Sequence, residues 1–362
     1  MKILYVIDKP NMYGSERHLL DILSFFSKNK NDKIELVTFS DGPMLQYVKG
    51  IKSSVFPMSW LFNFAALYNL YCYIKKTSPD VIHGHQPKAI FLTALLGRAL
   101  NIPTIITVHS KAYDHAIIHK NIVKRLVVYL FHKIIYFVSA LCAMKVIYVN
   151  ENMFESSIRK SKSAYISNWL PIKYELGRTK AFLFDKNKKI RFISVGSVTK
   201  AKGYDLLLDF LGCLEKDGIA YSSIVYGGKN NDFYSELTQH QYFSDKINFA
   251  GYGEALISAY SKADFYVLFS RSETFGLSYL EAMSQGLPIV ALDLEELKGL
   301  MPSGNVLASD TESAYHSFIE LLNSKNYTTV SNNNIQRSKE FSYLNRMKQL
   351  ESIYCEVITR GV

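Results

Sequence analysis

The sequence predicts an α/β protein made of two doubly wound, Rossmann-like domains in tandem, and three observations carry that reading. The chain has 362 residues, 48% apolar and 20% charged, too long for one compact core and too hydrophobic to stay disordered. Short β-branched or aromatic runs alternate with helix-like segments over residues 3–149, and the rhythm restarts over 190–292. A polar, lysine-rich stretch, KYELGRTKAFLFDKNKK at 173–189, separates the two trains.

In the first train the strand-like runs fall at 3–7, 34–39, 81–85, 104–109 and 146–149. They carry few polar residues that would face a wet side, so they read as buried on both faces, as a parallel sheet covered by helices requires. The second train repeats the pattern at 190–195, 223–226, 247–250, 265–269 and 288–292, and 173–189 reads as an interdomain linker. Beyond 332, Ile335, Phe341, Leu344, Met347, Leu350, Ile353 and Tyr354 recur near helical spacing, which predicts one or two closing helices. The expected domains are therefore 1–170 and 171–345, with a last helix at 346–362. Ligands of such sheets bind beyond the carboxyl ends of the strands, so two tandem domains are expected to face an interdomain cleft.

The net charge of +10 is unevenly placed: residues 1–170 hold 21 Lys/Arg against 10 Asp/Glu, and residues 171–362 hold 21 against 22. A basic first domain suits an anionic substrate, an anionic membrane surface or nucleic acid. Cys72, Cys142, Cys213 and Cys355 stand far apart with no C-x-x-C pair, which argues against a zinc ribbon or a disulfide framework and fits a reducing compartment. The opening MKILYVID reads as a first strand rather than a signal peptide. In the suspicious stretch 134–149, only 11 uncharged residues separate Lys133 from Lys145, short of the roughly 20 of a spanning helix. The expectation is a cytoplasmic protein without a transmembrane segment. At 119–143, HKNIVKRLVVYLFHKIIYFVSALCA sets Lys120, Lys124, Arg125 and Lys133 among large apolar residues. That segment reads either as a helix lying peripherally on an anionic membrane or as a core helix with a basic edge.

The densest chemistry lies at 270–291, SRSETFGLSYLEAMSQGLPIVA. A strand ending near Ser270 meets a short loop, a helix opens between Gly276 and Ser278, and another strand begins after Gly286 and Pro288. Open amides of Gly276, Leu277 and Ser278 make an anion site, and the glycine lets a phosphate come close. Glu273 and Glu281 flank that site, and carboxylates accept hydrogen bonds from the hydroxyls of a sugar or a ribose. An isolated E-x7-E is more often one glutamate complementing a helix dipole and one in solvent. In FISVGSVTKAKGYD at 192–205, Lys200 and Lys202 share a loop after a strand ending at Gly196. Cations aimed at a leaving diphosphate stabilise the transition state more than the ground state. After the first strand, Tyr13-Gly14-Ser15-Glu16 has one glycine where a dinucleotide-binding G-x-G-x-x-G has three, which counts against a nicotinamide enzyme. His83, His85 and His109 mark strand ends, but the H-x-H pair lacks a third ligand at a recognisable spacing. No D-x-D occurs, Asp293-Leu294-Glu295 being the nearest approach. No metal and no other cofactor is expected.

The run E-T-F-G-L-S-Y-L-E-A-M, with G-L-P-I-V-A behind it, closely resembles the donor-site motif of family 4 glycosyltransferases of the GT-B fold. The resemblance implies that Glu273 contacts donor-sugar hydroxyls, that the amides from Phe275 to Ser278 hold sugar and phosphate, and that Glu281 binds the ribose. Lys202 matches the lysine of the family's K-G pair. Ser197 stands where the family commonly has an arginine, so Lys200 is read as the second cation. Gly14 matches one glycine of a pair near the donor phosphates, and His109 aligns with a histidine beside the donor sugar and the incoming acceptor. Asn168 and Gly227-Gly228 are lesser matches, and the last helix is expected to cross back to the first domain. The resemblance spans nearly the whole chain, is strongest in the second half, and loosens after Asp293, where EELKGLMPSGNV departs from the usual loop.

The function so implied is a retaining, metal-independent glycosyltransferase of the hexosyltransferase type. It would move a sugar from a nucleotide-sugar donor to a glycan or lipid-linked glycan acceptor in surface-polysaccharide synthesis, such as lipopolysaccharide, O-antigen or capsule. Its catalytic candidates are His109, Lys202 and Glu273. The alternatives are a nucleotide-sugar epimerase or phosphorylase of the same architecture, told apart by donor turnover without acceptor, and a sugar-nucleotide-binding scaffold, told apart by binding without transfer. A nucleic-acid binder would show steeply salt-dependent binding, and no recognition motif supports it.

Overall fold

In the computed structural model, which describes residues 1–361 apart from 13, 30, 60–62, 117–120, 172, 173, 175, 176, 186, 187, 230 and 252–255, the apolar runs become two parallel sheets. Tyr13, His119, Lys120 and parts of the 173–189 stretch thus lie outside the described residues. The chain divides into two units, Met1–Asn168 with Leu344–Val362, and Trp169–Tyr343.

The first unit holds β1 (Lys2–Ile7), β2 (Lys33–Thr38), β3 (Lys52–Val55), β4 (Val81–His85), β5 (Thr104–Val108), β6 (Lys145–Tyr148) and β7 (Ser163–Tyr165). Their order is β3-β2-β1-β4-β5-β6-β7 with every pairing parallel. Helices α1 (Gly14–Phe26), α2 (Phe64–Thr77), α3 (Pro87–Leu100), α4 (Ala112–Ala116), α5 (Ile122–Cys142) and α6 (Glu151–Glu155) alternate with the strands. β4 and β5 are buried along their whole length, as the missing polar alternation requires. The order reverses between β1 and β4, which is where an open sheet of this kind opens its crevice.

The second unit repeats the plan with β8 (Ile190–Val195), β9 (Tyr221–Tyr226), β10 (Ile247–Gly251), β11 (Phe265–Leu268), β12 (Ile289–Leu292) and β13 (Val306–Ala308), ordered β10-β9-β8-β11-β12-β13 and parallel throughout. Its helices are α7 (Tyr204–Lys216), α8 (Asn231–Thr238), α9 (Leu256–Lys262), α10 (Leu277–Ser284), α11 (Glu295–Lys298), α12 (Thr311–Asn323) and α13 (Tyr327–Lys339). Here the reversal falls between β8 and β11. The closing helix α14 (Tyr343–Gly361) belongs to the first unit from Leu344 onward. Its Tyr354 hydroxyl lies 2.6 Å from His83 Nδ1 and donates to the Tyr5 hydroxyl at 3.0 Å, and Arg346 donates to Ser167 at 3.0 Å.

Two expectations change on this frame. The described part of 173–189 is no free linker but a strap on the second unit: the Gly177 amide donates to the Ser284 carbonyl, and Phe182 packs on Phe265 and Tyr327. Lys180 gives its ammonium to the carbonyls of Tyr260, Ser261 and Ala263 at 2.8–3.0 Å, and burial pulls its pKa down to about 8. The membrane expectation also shifts. Counting from Lys133 to Lys145 missed that α5 runs from Ile122 straight through Lys133. By length and composition alone it is long and apolar enough to cross a membrane. It is not a core helix either, since only Ile135 and Ser139 are buried on it.

Candidate active site

The second unit's reversal point gathers the loops after β8 and β11. After β8 the chain makes a single 3-10 turn at Lys200–Lys202, then Gly203 at φ +65° starts α7. A Cβ on Gly203 would lie 1.9 Å from the Phe269 carbonyl oxygen, so only glycine lets these two loops touch. Arg271 ties them further. Its guanidinium clasps both carboxylate oxygens of Asp205 at 2.7 and 2.8 Å and donates to the Lys200 carbonyl at 2.7 Å, and its amide donates to the Ala201 carbonyl at 2.8 Å. That bidentate clamp holds Asp205 below the usual carboxylate range against the opposing pull of burial.

The clamp sets Lys202 against Glu273. The ammonium donates to Glu273 Oε1 at 2.6 Å, and the Ser270 hydroxyl donates to the same oxygen at 2.7 Å. The lysine side chain is 26% exposed and the glutamate 9%, so the pair is shielded yet reachable from one side. Gly276, at φ +90°, opens α10 with no side-chain cap, which leaves the helix's first amides to a ligand. Leu297 stands 2.9 Å from where a Cβ of Gly276 would be. Phe275 points inward onto Phe341, so only its backbone can serve the site.

Glu281, one turn into α10, is 6% exposed and accepts from the Tyr260 hydroxyl at 3.2 Å. The Ser278 hydroxyl accepts from Tyr266 at 2.8 Å. The structure therefore joins Lys202 to Glu273, and places Ser278 and Glu281 on one helix start braced by buried tyrosines. Burial and the nearby carboxylate push the Tyr260 hydroxyl far above its usual range, so it stays a donor. Lys200 is not joined to this group: its side chain is exposed, and it is its carbonyl that Arg271 ties down. Ser197 follows Gly196 in a turn that Gly227, at φ +155°, approaches so closely that a Cβ would lie 1.9 Å from the Gly196 carbonyl. Gly227 thus shapes the turn after β8. Asp293 and Glu295 both pair with Lys298, at 3.2 and 2.9 Å.

The first unit's reversal point gathers buried histidines beside one ion pair, Lys88 at the start of α3 with Asp8 just after β1 at 2.7 Å. His85, at the end of β4, places Nδ1 3.0 Å from His109 Nε2, and the rings stack at 5.3 Å. Among the described residues, the buried His85 Nε2 has no hydrogen-bond partner. Burial lowers His109 to about 4 and holds His85 well below its ordinary value, so both are neutral near pH 7. His18 on α1 sets its ring edge-on to His109 at 4.7 Å and meets Asn168 at 3.0 Å. His83 is no strand-end residue. It lies in mid-strand, fully buried, 2.6 Å from the Tyr354 hydroxyl and 2.7 Å from that of Thr107.

Sequence reasoning passed over Gln86 and the depth of Glu16. Gln86 holds φ +67° and ψ 148°, a region that side chains avoid. Its amide compensates by accepting from the Lys9 amide at 2.9 Å, donating to the Lys9 carbonyl at 3.2 Å and donating to Glu16 at 3.0 Å. Glu16 is 1% exposed, and burial raises its carboxyl above the usual range. Neither contact follows from spacing, since the partners are 70 or more residues apart. Gly14 is exposed at the start of α1, with nothing within 4 Å of an added Cβ. Among the described residues, no cluster of three or more His, Cys, Asp or Glu is arranged to hold a metal ion.

Comparison with known proteins agrees with this fold. Residues 12–168 match the family described as Glycosyltransferase Family 4, and residues 178–337 match Glycosyl transferases group 1. The chain is 20% identical to the UDP-Gal:alpha-D-GlcNAc-diphosphoundecaprenol alpha-1,3-galactosyltransferase of Escherichia coli, over 99% of this chain and 97% of that one. It is 36% identical to mannosylfructose-phosphate synthase of Agrobacterium fabrum, but that match spans 27% of this chain and only 24% of the synthase. Among solved structures, HepE of Anabaena in complex with UDP and glucose superposes with a TM-score of 0.79 at 18% identity, over 98% of this chain and all of that one. With two parallel sheets of GT-B pattern and a family match in each half, the chain belongs to the GT-B glycosyltransferases of family 4 and group 1.

Proposed function

We propose that this glycosyltransferase moves a hexosyl group, with retention and without a metal ion, from a nucleoside diphosphate sugar to a glycan or lipid-linked glycan of a surface polysaccharide. The carrying observation is the Lys202–Glu273 pair where β8 and β11 part, beside the uncapped start of α10. A diphosphate seated on the amides of residues 276–278 draws the Lys202 ammonium toward its oxygens. Glu273, still held by Ser270, is then free to accept hydrogen bonds from the sugar. As the bond to the anomeric carbon breaks, charge grows on the leaving phosphate, and Lys202 and the helix start are already aimed at it. Glu273 orients the sugar and does not attack it. Glu281, fixed by Tyr260, takes the ribose hydroxyls, and neutral His109 offers an uncharged hydrogen-bonding group to the sugar or the acceptor. Lys200, exposed on the same loop, adds a second cation from solvent.

A UDP-sugar is the first donor to test, supported by the UDP held by HepE and the UDP-Gal named for the E. coli relative. That relative's diphosphoundecaprenol acceptor, with the basic first half of this chain, supports a lipid-linked acceptor reached from the cytoplasmic side of a membrane. The test is nucleotide release from UDP-, GDP- and ADP-sugars with lipid-linked acceptors, comparing wild type with Glu273→Ala and Lys202→Ala. Release from one donor, falling in both variants, supports the reading. Donor binding without transfer to any acceptor, unchanged in the variants, refutes it.

A further inference from the structure

We propose that Lys180 is a positioning residue for the donor's ribose: from the strap it fixes Tyr260, and through Tyr260 it aims the Glu281 carboxylate at the ribose hydroxyls. The inference deepens the proposed function and rests on it for the ribose at Glu281. Lys180 lies outside both donor loops, on the strap that leads into β8. An ammonium has three protons to give, and Lys180 gives them to the carbonyls of Tyr260, Ser261 and Ala263 at 2.9, 3.0 and 2.8 Å. Tyr260 and Ser261 belong to the last turn of α9 and Ala263 follows it, where helix carbonyls run out of intrahelical partners. A cation there also meets the negative end of the helix dipole.

The lysine is itself tethered. Its amide donates to the Ser331 hydroxyl at 2.8 Å, and three residues earlier the Gly177 amide donates to the Ser284 carbonyl, at the end of α10, at 2.8 Å. At the start of the strap, Tyr174 sets its ring edge-on to that of Tyr260 at 6.3 Å. Tyr260 is thus gripped by its carbonyl and by its ring. Its hydroxyl, at the far end, reaches Glu281 Oε2 at 3.2 Å and lies 3.4 Å from the Ser278 carbonyl, both on α10. The tyrosine is wholly buried and the glutamate nearly so. A donor held on Oε2 fixes the turn of the carboxylate about its last bond, and so where its other lone pairs face. One strap therefore holds the end of α10 directly and its ribose carboxylate through α9.

The test is calorimetric titration of the full chain with UDP, GDP and ADP, and with the 2′,3′-dideoxy form of whichever binds most tightly. The ratio of the two affinities reads the ribose hydroxyls alone. Wild type should prefer the ribonucleotide by about tenfold or more, the worth of a hydrogen bond to a charged group. In Lys180→Met and in Tyr260→Phe the ratio should fall to about threefold or less, with the dideoxy nucleotide bound as by wild type and circular dichroism unchanged. Glu281→Ala should abolish the preference. The wild-type ratio in Tyr260→Phe, whether or not Lys180→Met folds, overturns the inference. So does the wild-type ratio in a folded Lys180→Met, or a loss there that is equal for both nucleotides, as a merely structural lysine would give. If Glu281→Ala keeps the wild-type ratio, or none of the three nucleotides binds wild type, the ribose assignment falls and takes this inference with it. If Glu281→Ala alone abolishes the preference, only this inference falls.

Discussion

Two turns occupy the same place in their sheets: β1 to α1 in the first unit and β8 to α7 in the second, each beside the strand where the order reverses. In the second, Gly203 is forced to positive φ under the Phe269 carbonyl, and the side chains around it are ionic, Lys202 on Glu273 and Arg271 on Asp205. In the first, Gly14 has open space, and the reversal gathers uncharged histidines, a buried glutamate whose carboxyl is raised, and the Lys88–Asp8 ion pair. One plan thus yields two loops pinned by two ion pairs in the second unit, and a buried histidine cluster beside a single ion pair in the first.

The largest expected effect breaks the Lys202–Glu273 pair. Glu273→Ala and Lys202→Ala should each slow sugar transfer by about 10²- to 10³-fold, and the double variant should be little worse than either, because the two act as one unit. Urea denaturation should show about 1 kcal/mol or less of lost stability, as expected for a half-open pair. A loss several times larger with intact transfer would make the pair a structural pin. Next comes Gly203→Ala, where backbone meets backbone and no side chain can yield. We expect about 2 kcal/mol or more of destabilisation, with transfer reduced because Lys202 and Glu273 lose register. Unchanged urea midpoints would show that the loop relaxes freely.

The buried histidine cluster is sharpened by pH. His83 is held at about 3 in the fold, against about 6.5 in the unfolded chain. Its folded value is depressed, so its contribution is complete above pH 6.5 and is lost as pH falls, because the unfolded chain takes up a proton that the native state refuses. At pH 5 this one residue should have cost about 2 kcal/mol. His18, His85 and His109 shift the same way and add to the loss. Glu16, raised by burial, acts with the opposite sign: its contribution is full below the unfolded carboxylate value and is lost as pH climbs through the folded one. A urea midpoint that stays level between pH 7 and pH 5 would mean the histidines are hydrated.

The central strands were legible because burial on both faces leaves an unbroken apolar run, whereas β3 (KSSV), β7 (SAY) and β13 (VLA) are short or polar edges with no such signal. The donor loops were legible through their resemblance to a known motif, and the contacts that make them a site were not. Arg271 finds Asp205 across 66 residues and Tyr260 finds Glu281 across 21, pairings made by strand order rather than by spacing. α5 misled because the count of uncharged residues began at Lys133, whereas the helix runs from Ile122 straight through it, and spacing left open which of its faces the protein covers.

The smallest expected effect is also the cleanest test of the comparison, because it is the same chemical change made in the other turn. Gly14 starts α1, is exposed, and has no atom within 4 Å of an added methyl. Alanine there meets no clash and lowers the entropy of the unfolded chain, so Gly14→Ala should leave stability level or raise it by about 0.4–1 kcal/mol. If Gly14 serves only as a helix start, nucleotide release at saturating donor should match wild type, and the KM for donor should move less than about twofold, well under the tenfold that 1.4 kcal/mol of lost binding would give. A donor KM raised tenfold with unchanged stability would mean that the diphosphate lies against this turn as well. The contrast between a pinned glycine and an open one would then fail at its simplest point.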